Sequence, residues 1–267
     1  MKKTAVFIFK KIQTQLFSEE LKHEYKVSEK HFTRNRKQNF PFILLFMLNL
    51  LRKRLTMEIG NFISFLKPNI GSKFTKSAFV QARMTVKPEV LKKLSQTLID
   101  EFYTDNDKAI KLWEEFRLLA IDGSRITLPI TNELKSIYGD AKNQTTTGIV
   151  QARCSVIYDV KNNYVLGGIL APLNSGERKL ALSHLLHCKS NDLLIYDRGY
   201  PSYGFIYKHI KRDLNFLMRV KVSFNKVTID FESSKKKSQI VTFYPSESTS
   251  INSIWTFIGN KYSLEKI

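Results

Sequence analysis

The chain has 267 residues, 43% of them hydrophobic, which is enough for a sizeable core and for more than one folding unit. Two cysteines, Cys154 and Cys188, exclude a disulfide framework and point to a reducing cytoplasm. Forty-three Lys and Arg against 24 Asp and Glu leave a net charge of +19. That excess is uneven: residues 1–100 carry 20 basic and 7 acidic side chains, residues 101–195 carry 11 of each, and residues 196–267 carry 12 and 6. A basic front ahead of a neutral middle is the pattern of a polyanion-binding region joined to a separate core, with nucleic acid as the leading partner.

Met1-Lys2-Lys3 followed by Thr4–Phe9 imitates a signal peptide, but Lys10 and Lys11 interrupt it before an apolar region of the usual length, so secretion is not expected. Residues 1–39 are polar and basic, with a helical tendency from Ser18 to Tyr25 and a cluster of Arg34, Arg36 and Lys37. Phe40–Leu51 is almost wholly apolar, opened by Pro41 and closed by Arg52-Lys53-Arg54, as a helix prefers. A helix of that length is about 18 Å long, short of the roughly 30 Å of a bilayer core, so a buried helix is expected and not a membrane anchor. Phe74–Arg83 and Glu89–Phe102 read as two helices broken near Lys87-Pro88. With Lys73, Lys76 and Arg83 on or near the first, the pair has the layout of a helix-turn-helix against DNA. Thr104–Asp107 reads as the connector to the core.

From Leu118 the periodicity changes. Leu118–Ile121 suits a buried strand, and Asp122-Gly123-Ser124 reads as a turn that lets an acid emerge at its tip. Ala152–Asp159 and Tyr164–Leu170 read as strands of a hairpin closed by Lys161-Asn162-Asn163. Asn174 with Glu177 resembles a capping box at the start of a leucine-bearing helix. Leu193–Tyr196 then repeats the first arrangement, an apolar run ending in Asp197-Arg198-Gly199. Pro201 opens a helix to about Arg212, and Phe216–Val222 returns as a strand. This order predicts a ribonuclease-H-like mixed α/β core. Two acids at the same ends of neighbouring strands could share a divalent metal, since hard cations take carboxylate oxygens and keep positions open for phosphate. His184, His187 and Cys188 crowd together but lack a four-ligand zinc pattern.

Three of these stretches, Leu118–Pro129 around Asp122, Ala152–Asp159, and Asp192–Tyr203 with its Tyr-Asp-Arg-Gly-Tyr-Pro-Ser-Tyr run, resemble the DDE transposases of bacterial insertion sequences, specifically the insertion-sequence-four group. Phe32–Lys37 and Phe74–Arg83 are similar to that family's N-terminal DNA-binding region, and the likeness covers roughly residues 30–245. The resemblance implies that Asp122 and Asp197 are the first two acids of a catalytic triad holding Mg²⁺, with Mn²⁺ as a substitute. It also implies double-stranded DNA, as element ends and target, for a partner, contacted by Arg34, Arg36, Lys37, Lys73, Lys76 and Arg83. A homo-oligomer formed on DNA, without membrane contact, is the implied assembly, in a bacterial cytoplasm at the nucleoid.

The family's third acid lies in a signature of Tyr, two residues, Arg, three residues, Glu, six residues and Lys. Neither Glu247 nor Glu265 satisfies that spacing. Lys226–Tyr244 is similar to the start of the family's β-rich insertion, and the likeness fades after about Ser248. The expected division is therefore a basic helical region over 1–103, an incomplete catalytic core over 104–223, and a partial β-rich insertion with a divergent tail over 224–267. The expected protein is a truncated transposase with impaired cleavage and strand transfer, and the alternative is a non-catalytic DNA-binding remnant or inhibitor of transposition.

Overall fold

The computed structural model describes residues 5–34, 38–49, 53–65, 74–104, 106–143 and 146–242. The chain divides into two compact units, with the boundary after Ile110.

The first unit is helical: α1 (Ala5–Leu16), α2 (Glu19–Tyr25), α3 (Phe40–Leu48), α4 (Leu55–Phe65), α5 (Lys76–Arg83) and α6 (Glu89–Tyr103). Local chemistry sets several starts. Ser18, Asn39 and Thr75 each accept a hydrogen bond from the backbone N–H three residues on, which satisfies a donor the first turn would otherwise leave orphaned. The apolar run of α3 is core, as expected: Phe40, Ile43, Leu44 and Phe46 are fully buried. The Phe46 ring meets Phe62 of α4 at 5.0 Å and Phe79 of α5 at 4.5 Å, both edge-to-face. No helix among the described residues is long and apolar enough to cross a membrane. α5 packs on α3 and α4, while α6 packs on α1 and α2. The end of α2 is tied to the turn between α5 and α6 by Val27 N–H to the Thr85 carbonyl (2.9 Å) and Lys87 N–H to the Tyr25 carbonyl (2.8 Å).

The second unit is a mixed sheet with helices. In chain order it has β1 (Arg117–Thr127), α7 (Asn132–Tyr138), β2 (Asp140–Asn143), β3 (Thr146–Asp159), β4 (Tyr164–Pro172), α8 (Glu177–His184), β5 (Asp192–Tyr196), α9 (Tyr203–Ile210), β6 (Asn215–Met218) and α10 (Lys226–Ser233). β1 pairs antiparallel with β3 and β3 with β4, whereas β1, β5 and β6 run parallel. The strand sequence across the sheet is β4, β3, β1, β5, β6, with β2 against the beginning of β3. This is the ribonuclease-H-like core that the element order predicts, preceded by helices.

Several local expectations need correction. Asp122-Gly123-Ser124 is not a turn: β1 continues through it to Thr127, because the long β3 supplies a ladder partner for every residue from Leu119 to Thr127. Sheet pairing overrides turn propensity there. Asn174 and Glu177 do not form a capping box, since α8 begins after Gly176 with no side-chain cap. α9 is capped by Ser202, which accepts from Phe205 N–H, so Pro201 lies just outside the helix. β6 ends at Met218, short of Val222. The expected β-rich start at Lys226 is instead the helix α10, because Asn225 and Thr228 form a reciprocal capping box at 2.9 and 3.1 Å. The described residues from 224 to 242 contain no strand.

One ion pair sets the parallel register. Arg117 at the start of β1 donates Nε and Nη2 to the two oxygens of Asp192 at the start of β5, at 2.7 and 2.6 Å, and these residues are Cα partners. Asp192 is fully buried. Replacing Arg117 with Met leaves that carboxylate uncompensated, and urea unfolding is expected to show a loss of about 3–5 kcal/mol. An unchanged midpoint would show that the pair does not hold the register.

Candidate active site

Asp122 and Asp197 come from adjacent parallel strands. Leu119 pairs with Leu194 and Ala120 with Ile195, so the register carried two residues further brings Asp122 level with Asp197. β5 ends at Tyr196 while β1 continues, which leaves Asp197 just past a strand end and Asp122 on the edge that β5 vacates. Both aspartates are exposed, while Ile121 and Tyr196 immediately before them are buried. The sheet's core thus stops one residue short of the acids. Asp122 Oδ1 accepts from the Gly123 N–H at 2.7 Å.

The surroundings add groups that sequence reasoning missed. Glu177, in the first turn of α8, forms an ion pair with Arg153 of β3. A Cβ placed on Gly123 would lie 3.6 Å from the Glu177 Cγ and 3.7 Å from the Tyr200 hydroxyl, so both groups border the β1 backbone beside Asp122. Tyr200 is buried, its ring 5.3 Å from Tyr196 and 5.9 Å from Phe205. Burial, followed by the charges of Asp122 and Glu177, pushes its phenol up to about 12. The turn carrying Asp197 and Tyr200 is held from outside: Arg178 donates Nε to the Tyr200 carbonyl (2.8 Å) and Nη2 to the carbonyls of Gly199 (2.9 Å) and Pro201 (3.3 Å). Glu177 and Arg178 are thus consecutive residues serving opposite sides of one site. No local pattern announces that, because each partner is distant in sequence.

Beneath the turn, His209 Nδ1 donates to the Phe205 carbonyl at 2.8 Å, so its Nε2 accepts from the Tyr196 hydroxyl at 2.8 Å. His184 Nε2 meets the Ser155 hydroxyl at 3.1 Å and joins α8 to β3. Burial lowers the pKa of both imidazoles. The Cys188 thiol donates to the His184 carbonyl at 3.6 Å, and burial pushes it up to about 12. His184, His209 and Cys188 are thus each bonded to a neighbouring group. Among the described residues no group of three His, Cys, Asp or Glu side chains is gathered for a metal ion. What the site offers is two exposed carboxylates, the donor type Mg²⁺ takes when it keeps water and phosphate as its other ligands.

Of the basic residues expected at DNA, Arg34, Lys76 and Arg83 are exposed, and Arg36, Lys37 and Lys73 lie outside the described residues, as do Glu247 and Glu265. The Arg34 stretch and α5 come together: Thr33, Arg34 and Gln38 line one cleft of ≈ 1090 Å³ with Thr75, Ala78 and Gln81. Lys76 and Arg83 are not in its lining.

The sheet is ribonuclease-H-like and presents an aspartate at each of two neighbouring parallel strands, a fold that does not by itself fix an activity. Residues 113–255 match the family model described as transposase DDE domain, more than half of the chain, and the chain belongs to that family. No curated protein matches it. Among solved structures, the cryo-EM structure of a piggyBac transposase synaptic complex with hairpin DNA is similar at 9% identity and a TM-score of 0.40, over 87% of this chain. The chain spans about half the length of that protein, 55%.

Two outcomes are expected. Arg178→Ala frees three carbonyls and loosens the Asp197–Pro201 turn, so amide hydrogen exchange should rise at Gly199 and Tyr200 with the sheet unaffected; uniform exchange would contradict the clamp. Because the folded state disfavours protonation of His184 and His209, their contribution to stability is complete above the ordinary imidazole value of 6.5 and is lost as pH falls below it. Unfolding free energies measured from about pH 7.5 down to about pH 5 should decline. A flat profile would contradict buried neutral imidazoles.

Proposed function

We propose that this chain is a transposase polypeptide that binds the ends of an insertion sequence and acts on DNA phosphodiesters at the Asp122–Asp197 site. The alignment of these two acids on adjacent parallel strands, within a chain of the DDE transposase family, is the observation that carries the reading. Their exposed carboxylates would hold Mg²⁺, or Mn²⁺ in its place. When bound, the metal activates a water or a DNA 3′-hydroxyl for in-line attack and stabilises the leaving oxyanion.

The chain's own residues supply position and charge. The backed register sets the separation of the carboxylates, Arg178 holds the turn that presents Asp197, and Arg153 sets a cation at the rim. Arg34, Arg36, Lys37, Lys73, Lys76 and Arg83 would neutralise phosphates, and a second copy of the chain on DNA completes the assembly in a bacterial cytoplasm. With two ligand aspartates, and no group of three metal-ligating side chains among the described residues, cleavage and strand transfer by this polypeptide are expected to be slow.

The test uses purified protein with the insertion sequence's terminal DNA. Mg²⁺- or Mn²⁺-dependent nicking is expected, with Asp122→Asn or Asp197→Asn lowering it at least about 100-fold. DNA affinity in both variants should stay near wild type and fall steeply with salt, and Arg34→Ala or Arg83→Ala should each lower the salt slope by about one. Undiminished nicking by the aspartate variants would remove them from the chemistry. End joining at a normal rate would overturn the impairment, whereas salt-dependent binding with no cleavage under either metal would favour a non-catalytic inhibitor of transposition.

A further inference from the structure

The most unusual atom near the site is the Tyr200 hydroxyl oxygen. It is buried, and no hydrogen-bond partner reaches it. Folded proteins rarely leave such a group unpaired, because a buried hydroxyl that has lost water and found no partner is costly. Phenylalanine would fill the same volume without that cost. The contrast with Tyr196, four residues earlier, is direct: its equally buried hydroxyl donates to His209.

The orphan atom lies within the electrostatic reach of the site's charges. Asp122, Glu177, Arg153 and Asp197 are the charged groups that act on it, Asp122 most strongly. It lies beside the β1 backbone, 3.7 Å from where a Gly123 Cβ would stand. Its ring is fixed by Tyr196 and Phe205, and its main chain by Arg178, so it cannot readily turn away to find another partner. Burial, with the charges of Asp122, Glu177 and Asp197, holds the phenol in its protonated form, so it presents a donor that no acceptor in the free protein meets.

We infer that the Tyr200 hydroxyl is a positioning group, donating its hydrogen bond to a non-bridging oxygen of the DNA phosphate seated between Asp122 and Asp197. The inference rests on the reading of that pair as a metal-dependent DNA site. Arg153 at the same rim is consistent with an anion there, and it can exchange Glu177 for phosphate without moving its strand. Phosphate binding thereby satisfies a donor that the free protein leaves unpaired.

The experiment compares full-length wild type, Tyr200→Phe and Asp122→Asn, using a fluorescein-labelled DNA duplex in EDTA and in Ca²⁺, which reads binding without turnover. Wild type should gain affinity with Ca²⁺, Asp122→Asn should lose that gain, and Tyr200→Phe should reduce it about tenfold, the effect of a hydrogen bond to a charged acceptor. In EDTA the affinities should agree, and the Tm of Tyr200→Phe should equal or exceed that of wild type because only an unpaired hydroxyl has been removed. A full Ca²⁺-dependent gain in Tyr200→Phe, beside its loss in Asp122→Asn, overturns the tyrosine's role and leaves the aspartate reading intact. A lowered Tm in Tyr200→Phe overturns it as well, by making the hydroxyl structural. If wild type and Asp122→Asn respond alike to Ca²⁺, the metal reading fails and the role of Tyr200 fails with it.

Discussion

The buried pair of Arg117 and Asp192 is the constraint on which the site depends. A parallel ladder has evenly spaced hydrogen bonds, and a slip along it is opposed mainly by side-chain patterning. Here a bidentate guanidinium–carboxylate contact between register partners adds a geometric lock at the end opposite the acids. A slip of one residue would part these charges in a dry environment and move Asp122 to the other face of the sheet. The pair therefore contributes less through its net energy than through the arrangement it excludes. The Lys189 N–H, which also donates to Asp192 at 2.7 Å, satisfies further acceptor capacity that a buried carboxylate must fill.

From that register the rest of the centre follows by layers. Leu119, Ile121, Leu194 and Tyr196 are buried, so the two strands leave the core side by side before the acids appear. β3 extends past β5 on the far side of β1 and keeps Asp122 in a strand, where its side-chain direction is set by the pleat and not by a mobile turn. α8 then closes the rim with two adjacent residues, Glu177 toward Arg153 and Arg178 toward the Asp197 turn. A strand, a turn and a helix are each fixed by a different interaction. That redundancy suits a site that must keep like charges near one another.

How much of this was legible in the sequence depended on the range of the signal. Apolar runs act over a few positions, and so the buried helix that begins at Phe40 and the strand before Asp197 could be read directly. Asp122 was legible as an acid after an apolar run, but its turn-like neighbours hid the strand, because the deciding partner is Val156, far along the chain. Lys226 onward was read by likeness to an insertion, while a capping box between Asn225 and Thr228 specifies a helix. Arg178 and Tyr200 carried no legible role, and Glu177 was read only as part of a capping box that does not form. Their contacts lie 20 or more residues away in sequence or, for the tyrosine hydroxyl, are missing altogether.

The division of charge along the chain has a physical use. Residues 1–100 hold an excess of 13 positive charges, a long-range attraction for a polyanion that decays within about a Debye length, roughly 8–10 Å at ordinary salt. Residues 101–195 are balanced, and their acids are placed locally, where two carboxylates side by side would repel phosphate unless a cation intervenes. On the proposed reading, the neutral stretch around Asp122 attracts phosphate poorly until a cation is bound, while the basic residues ahead of it attract it with or without metal. On the same reading, a variant that lost metal binding at Asp122 and Asp197 would retain that attraction, because the charges that supply it take no part in coordinating the ion.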